Sequence, residues 1–217
     1  MTFASLSDQS VLSRHTLPPP PRYDQIPPSV QSALRLRGGL VPCGPGVRGV
    51  GWPDSASVRL TALAPLIAQT GLIASHLTAA WVWGTSVTPG SPLCTAVPAG
   101  LHPRINPPPG TRRFQLRFSA EDLTSLASLK ITTPLRTALD LLYTPGRFGC
   151  AESLACQLLV RLHPDFIDQL RRKLVEHRRP HRNLARSRAA SLFDQSLLRQ
   201  HPARDRAGRA SRVLDSA

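Results

Sequence analysis

The chain has 217 residues, 41% of them hydrophobic, enough for one substantial domain, or one domain plus a small module, and too apolar for global disorder. Its 27 basic and 13 acidic residues leave a net charge of +14, which attracts polyanions and excludes an acidic, solvating chain. Aromatics are only 5%, so the core must rest on Leu, Val, Ile and Ala, and the 22 prolines cluster, so the folding part is shorter than the chain.

Residues 1–28 are polar and then proline-rich, with Pro18 to Pro21 in one run and Pro27-Pro28 closing the segment. Proline fixes φ and removes a donor, so the spacing predicts a disordered, extended arm. Residues 29–59 follow as a second unit. Val30, Ala33 and Leu34 predict a short helix over 29–36, stopped by Gly38-Gly39. Val41, Val47, Val50 and Trp52, punctuated by Gly44-Pro45-Gly46, predict a small hairpin. A helix and hairpin carrying Arg35, Arg37 and Arg48 form the minimum of a winged-helix element, or else an irregular subdomain with solvated arginines.

Residues 60–160 predict a mixed α/β domain. Residues 59–69 read as a mostly buried helix strained by Pro65, and 71–85 as a short strand running into a helix, with Ser75 as N-cap and Gly84 as stop. Although Leu60 to Val87 is apolar, Pro65, Gln69 and Ser75-His76 interrupt it, so two buried elements fit better than a membrane span of about 20 apolar residues. Strands are expected at 91–98, 114–119 and 129–132, the second with Phe114, Leu116 and Phe118 inward and Gln115 and Arg117 outward.

The segment 132–143 carries the clearest local signal: Thr133 as N-cap, Pro134 at the first helical position, and an apolar face of Leu135, Ala138, Leu139 and Leu142. Arg136 and Asp140, four apart, are expected on the opposite face as a charge pair, either a plain helix-face pair or a functional one. Helices are predicted at 150–162, 166–177 and 184–200, the last two forming a basic region over 161–200, with a disordered tail from His201. Residues 161–217 hold 14 basic and 6 acidic side chains, a net +8.

Candidate chemistry is sparse. Ser75-His76 invites a nucleophile–base reading, but neighbouring side chains at a helix start diverge and no third group is evident, so Ser75 is expected to cap the helix and His76 to pack beside Trp81. Trp81 and Trp83, two apart, cannot share one helical stripe, so one of them is expected partly exposed. His177 and His181 have a metal-ligand spacing, but Pro180 lies between them and Cys150 and Cys156 are unconvincing partners. No catalytic residue, metal or cofactor is expected. The four cysteines, Cys43, Cys94, Cys150 and Cys156, lack any Cys-x-x-Cys pair. With an N-terminus unlike a signal peptide, they point to the cytoplasm and free thiols. Only Lys130 and Lys173 are Lys, and guanidinium groups suit phosphate contact. The cluster Arg171, Arg172, Lys173, Arg178, Arg179 and Arg182 is therefore a candidate phosphate surface or a solvated face.

Across residues 35–185 the motif order resembles the AbiEi-type antitoxins of type IV toxin–antitoxin systems. The resemblance rests on Ser75, His76, Ala79 and Ala80, on Thr95 and Pro98, and on Thr133, Arg136, Thr137, Asp140 and Leu141. It implies an N-terminal DNA-binding unit that represses its own operon, and a second unit that counteracts a nucleotidyltransferase toxin, with no membrane involved. The helix–hairpin region is shorter than the usual winged helix. Similar front halves also precede a very-short-patch-repair-like nuclease domain, and 183–208 resembles the lead-in to one. Residues 161–217 lack the carboxylate cluster such a nuclease needs for its metal, so the alternative expectation is a truncated relative without its endonuclease. A metal-dependent endonuclease relying on Asp140 is the remaining enzymatic reading.

Overall fold

A computed structural model describes residues 18–68, 71–101, 108–146, 148–176 and 180–193. A single 3₁₀ turn at Tyr23–Gln25 leads into helix α1 (Pro28–Leu36), which begins on proline at its first position, where the missing N–H costs nothing. Gly39 N–H closes on the Leu34 carbonyl at 2.9 Å and turns the chain into a two-stranded antiparallel hairpin, β1 (Leu40–Cys43) and β2 (Gly46–Gly49). The hairpin lies hard against the domain. A Cβ on Gly46 would collide with the Ala62 carbonyl, and one on Gly44, at φ +55°, would come 2.7 Å from the Trp81 ring. Close backbone approach is why glycine occupies both positions.

The long helix expected over 59–69 is two shorter ones, α2 (Ala56–Ala62) and α3 (Ala64–Ile67), separated at Leu63. Pro65 therefore sits in the first turn of a restarted helix, where it is tolerated, and strains nothing. Strand β3 (Ile73–Ala74) then enters helix α4 (His76–Val82). Strands β4 (Leu93–Pro98), β5 (Thr111–Leu116), β6 (Leu123–Leu126) and β7 (Leu129–Thr132) complete a five-stranded sheet in the order β5-β4-β3-β7-β6. Its central β3 runs antiparallel to β4 and parallel to β7, while β4–β5 is parallel and β6–β7 antiparallel. Strand β5 starts and ends earlier than expected, so Phe118 lies beyond it, and β6 had no counterpart in the sequence reading.

Helix α5 (Pro134–Tyr143) follows β7, and helices α6 (Cys150–Leu162), α7 (Ile167–Glu176) and α8 (Arg182–Leu192) complete the described chain. The fold is mixed α+β. The part of the third basic helix expected past residue 193, and the tail from His201, lie outside the described residues. Two apolar clusters hold the molecule together. One gathers α2, α3, β3 and much of α4 around Leu60, Leu63, Ile131 and Trp81. The other gathers α5 to α8 around Leu139, Leu142, Leu159 and Leu170, so it spans the boundary expected at 160/161. Helix α4 serves both, giving Ala80 to one cluster and Ala79, Trp81 and Val82 to the other. Among the described residues no helix is long and apolar enough to cross a membrane.

Candidate functional site

The motif helix α5 is positioned by threonines. Thr133 Oγ1 accepts from the Arg136 backbone N–H at 3.4 Å, the expected N-cap. Thr137 Oγ1 lies 2.8 Å from Thr132 Oγ1 and 2.9 Å from the Thr133 carbonyl, clasping α5 to the end of β7. Trp83 Nε1 donates to the Thr132 carbonyl at 2.9 Å, which draws α4 to the same point. Trp83 is thus the half-buried tryptophan of the pair, and its indole N–H is spent inside the fold, whereas Trp81 is core.

Arg136 and Asp140 are not on an outer helix face. Arg136 is 1% exposed and Asp140 3%. Every residue of α5 from Arg136 to Tyr143 is buried, because α4 packs against it as well as α6, α7 and α8. The guanidinium donates from Nε to Asp140 Oδ1 at 2.7 Å, and from one terminal nitrogen to Asp122 Oδ2 and the Arg117 carbonyl, each at 2.8 Å. Its carbon stands 4.7 Å from the Phe118 ring centre, a cation–π contact. Asp122 also accepts from Ser119 N–H at 2.8 Å. Burial pushes the Asp122 carboxyl up, but the Ser119 hydrogen bonds and the charges of Arg136 and Lys173 outweigh it, leaving its pKa below the ordinary value. A buried cation shared by two carboxylates and a carbonyl fastens the 117–122 turn to α5. That is a structural brace, with Asp122 at its edge lining a cavity beside Glu121 and Lys173.

Ser75 and His76 correct a second expectation. Ser75 occupies the N-cap position of α4, yet its hydroxyl makes no cap bond and lies 3.0 Å from His76 Nδ1. The neighbours meet because His76 adopts φ +50°, the left-handed region, which turns its ring back toward Ser75. The ring stacks on Phe114 at 4.0 Å, and not on Trp81 as expected. Burial foremost, then the positive charges of Arg136 and Arg112, lower the His76 pKa to about 3, so the imidazole is neutral at physiological pH. Ser75 itself is fully buried, so its oxygen cannot reach a substrate. His76 lines one wall of a cavity of about 260 Å³ with Arg112, Phe114, Cys94 and Glu152.

The arginines chosen for nucleic-acid contact separate into distinct groups. Arg35 and Arg37 are exposed at the end of α1, a helix in which no residue is buried. Arg48, on β2, folds back and donates to the Trp52 carbonyl at 2.7 Å. On α7, Arg171 pairs with Asp168 at 3.2 Å, and Lys173 pairs with Glu121 at 2.5 Å and approaches Asp122 at 4.0 Å. Arg172 is exposed and Arg182 half-buried, while Arg178 and Arg179 lie outside the described residues. The expected cluster along this segment is therefore partly neutralised, and the α1 group belongs to a different part of the fold.

The sequence does not announce Asp122, Arg188 or the contact of Phe118, expected inward on a strand, with Arg136. The Ser119-x-x-Asp122 spacing is a capping signal that could have located the first. Arg188 is nearly buried and donates to the carbonyls of Leu142, Thr144 and Gly146 at 2.7–2.8 Å, closing the C-terminal end of α5, with Phe148 under its guanidinium. No sequence pattern marks it. Among the described residues no group of three or more His, Cys, Asp or Glu could hold a metal ion. His177 is not among them, so the His177–His181 pair falls outside that statement.

No protein-family model matches the chain. No curated protein matches it either. Among solved structures, the RV2827C protein from Mycobacterium tuberculosis is similar at 19% identity and a TM-score of 0.44, over 80% of this chain and 70% of that one.

Proposed function

We propose that this chain is a DNA-binding regulator of the AbiEi antitoxin kind. It works in the cytoplasm without catalysis, binds the operator of its own operon and opposes a nucleotidyltransferase toxin, directly or indirectly. The observation that carries the reading is α1. It is a nine-residue helix with no fully buried residue, with exposed Arg35 in its last turn and Arg37 just past it, and the hairpin beside it is packed closely on the domain. A helix that gives nothing to the core, next to a fixed hairpin, has the parts with which winged helices meet a groove and a backbone. The order of the Ser75-His76 and Thr133–Asp140 motifs supports the family assignment, although their side chains serve the fold. The net charge of +14 supplies the long-range attraction to a polyanion.

The reading is tested by titrating upstream operon DNA in mobility shifts across a salt series. Binding should weaken steeply with salt, and the double variant Arg35→Gln/Arg37→Gln should lower the log–log slope by about two, one released counterion per lost phosphate contact. No shift at low salt, or an unchanged slope in the variant, refutes the assignment of α1.

A further inference from the structure

The cavity of about 260 Å³ beside His76 brings together polar side chains from separate elements: His76 from α4, Arg112 from β5 and Glu152 from α6. Leu77, Phe114, Leu141 and Pro145 supply apolar wall between them. Arg112 and Glu152 carry opposite charges in one cavity, yet neither forms an ion pair with the other or with any described residue. Arg112 is exposed, and its guanidinium stands 5.0 Å over the Phe114 ring, a contact that steadies the cation without neutralising it. Glu152 accepts from the Gly149 N–H through Oε2 at 2.9 Å, and no donor among the described residues meets its Oε1. The Cys94 thiol in the same wall, pushed up chiefly by burial, feels both charges, Arg112 lowering its pKa and Glu152 raising it.

His76 adds a third polar group. It is 5% exposed, Ser75 occupies its Nδ1, and no hydrogen bond from a described residue reaches its Nε2. Its backbone at φ +50° carries a strain that persists where a side chain must be held in one direction, and here that direction is the cavity.

A cation and an anion held apart in one small cavity select among ligands. A phosphate or a dicarboxylate would meet Glu152 as a like charge, and a diamine would meet Arg112 the same way. A purely apolar molecule would leave both charges unmatched. A zwitterion matches both. We infer that this cavity binds a free α-amino acid with an apolar side chain. Its carboxylate pairs with Arg112, its ammonium with Glu152, and its side chain lies against Leu77, Leu141 and Pro145, with His76 Nε2 as a further hydrogen-bond partner. The site shares no residue with α1 and stands whether or not the chain binds DNA.

The test titrates the full chain with L-leucine, L-valine, L-methionine and L-phenylalanine by ligand-observed NMR. The best of them should bind with a dissociation constant on the order of 0.1 mM. With leucine as the probe, 4-methylpentanoate lacks the ammonium and leucinamide lacks the carboxylate, and each should bind at least about tenfold more weakly. Glu152→Gln keeps an acceptor for the Gly149 N–H and removes only the charge. It should weaken leucine by about tenfold and leave 4-methylpentanoate no weaker than in the parent chain. Arg112→Gln, at an exposed position, should weaken leucine and 4-methylpentanoate alike by about tenfold and spare leucinamide. No binding of any of the amino acids up to about 10 mM overturns the inference. So does equal binding of leucine and its two analogues to the parent chain, a comparison that needs no variant to fold, or variants that bind all three ligands as the parent does.

Discussion

Arg136 and the Arg35/Arg37 pair are the same side chain in opposite circumstances. Arg136 is enclosed by Asp122, Asp140, a backbone carbonyl and an aromatic ring, while Arg35 and Arg37 are exposed at the end of a helix with no fully buried residue. Arg188 belongs with the first, since three carbonyls accept from it. Part of the cationic excess is thus consumed in holding the fold. Net charge alone overstates the surface that a polyanion can grip. In this protein a charged group's meaning depends on whether the fold has already supplied its counter-charges.

The largest effect should come from breaking the buried side of that comparison. Arg136→Met removes the buried cation that Asp122 and Asp140 share, leaving Asp122 only the more distant Lys173, and should destabilise the chain by about 3–5 kcal/mol in urea unfolding. A loss under about 1 kcal/mol would mean that the brace is not intact in solution. The next effect sharpens it through pH. His76 has a folded-state pKa of about 3 against an ordinary 6.5, so the unfolded chain binds its proton first. Its contribution is fully present above about pH 6.5 and is lost as pH falls toward 3. The slope should approach about 1.4 kcal/mol per pH unit below the unfolded value. Equilibrium unfolding at pH 7, 5.5 and 4.5 should show this slope in the parent chain and a flatter one in His76→Gln; parallel curves would place the titration elsewhere. The smallest effect lies at the exposed pole: Arg35→Gln and Arg37→Gln should each change stability by less than about 0.5 kcal/mol. A larger loss would show α1 to be part of the framework, and its arginines unavailable to a ligand.

Much of the local structure was legible in the residues. Thr133-Pro134 announces the start of α5, Gly38-Gly39 the stop of α1, and Gly44-Pro45-Gly46 the hairpin turn, because caps and turns depend on atoms within a few residues. Burial was less so. Residues 136 and 140 sit on the polar side of α5 by sequence, and a helix wheel cannot reveal that this side also faces protein. The same blindness placed His76 beside Trp81, when a left-handed backbone at residue 76 turns the ring onto Phe114, nearly forty positions away.

Local chemistry in the sequence therefore determined where helices and turns begin and end, and that the chain carries a large surplus of guanidinium groups. Only the tertiary structure decided which of those groups remain available. A salt bridge such as Arg136–Asp122 joins residues whose approach is set by the packing of α5 among its neighbouring helices. Burial strengthens an electrostatic pair and punishes an unpaired charge, so the number of free arginines is a property of the packed molecule and not of its composition.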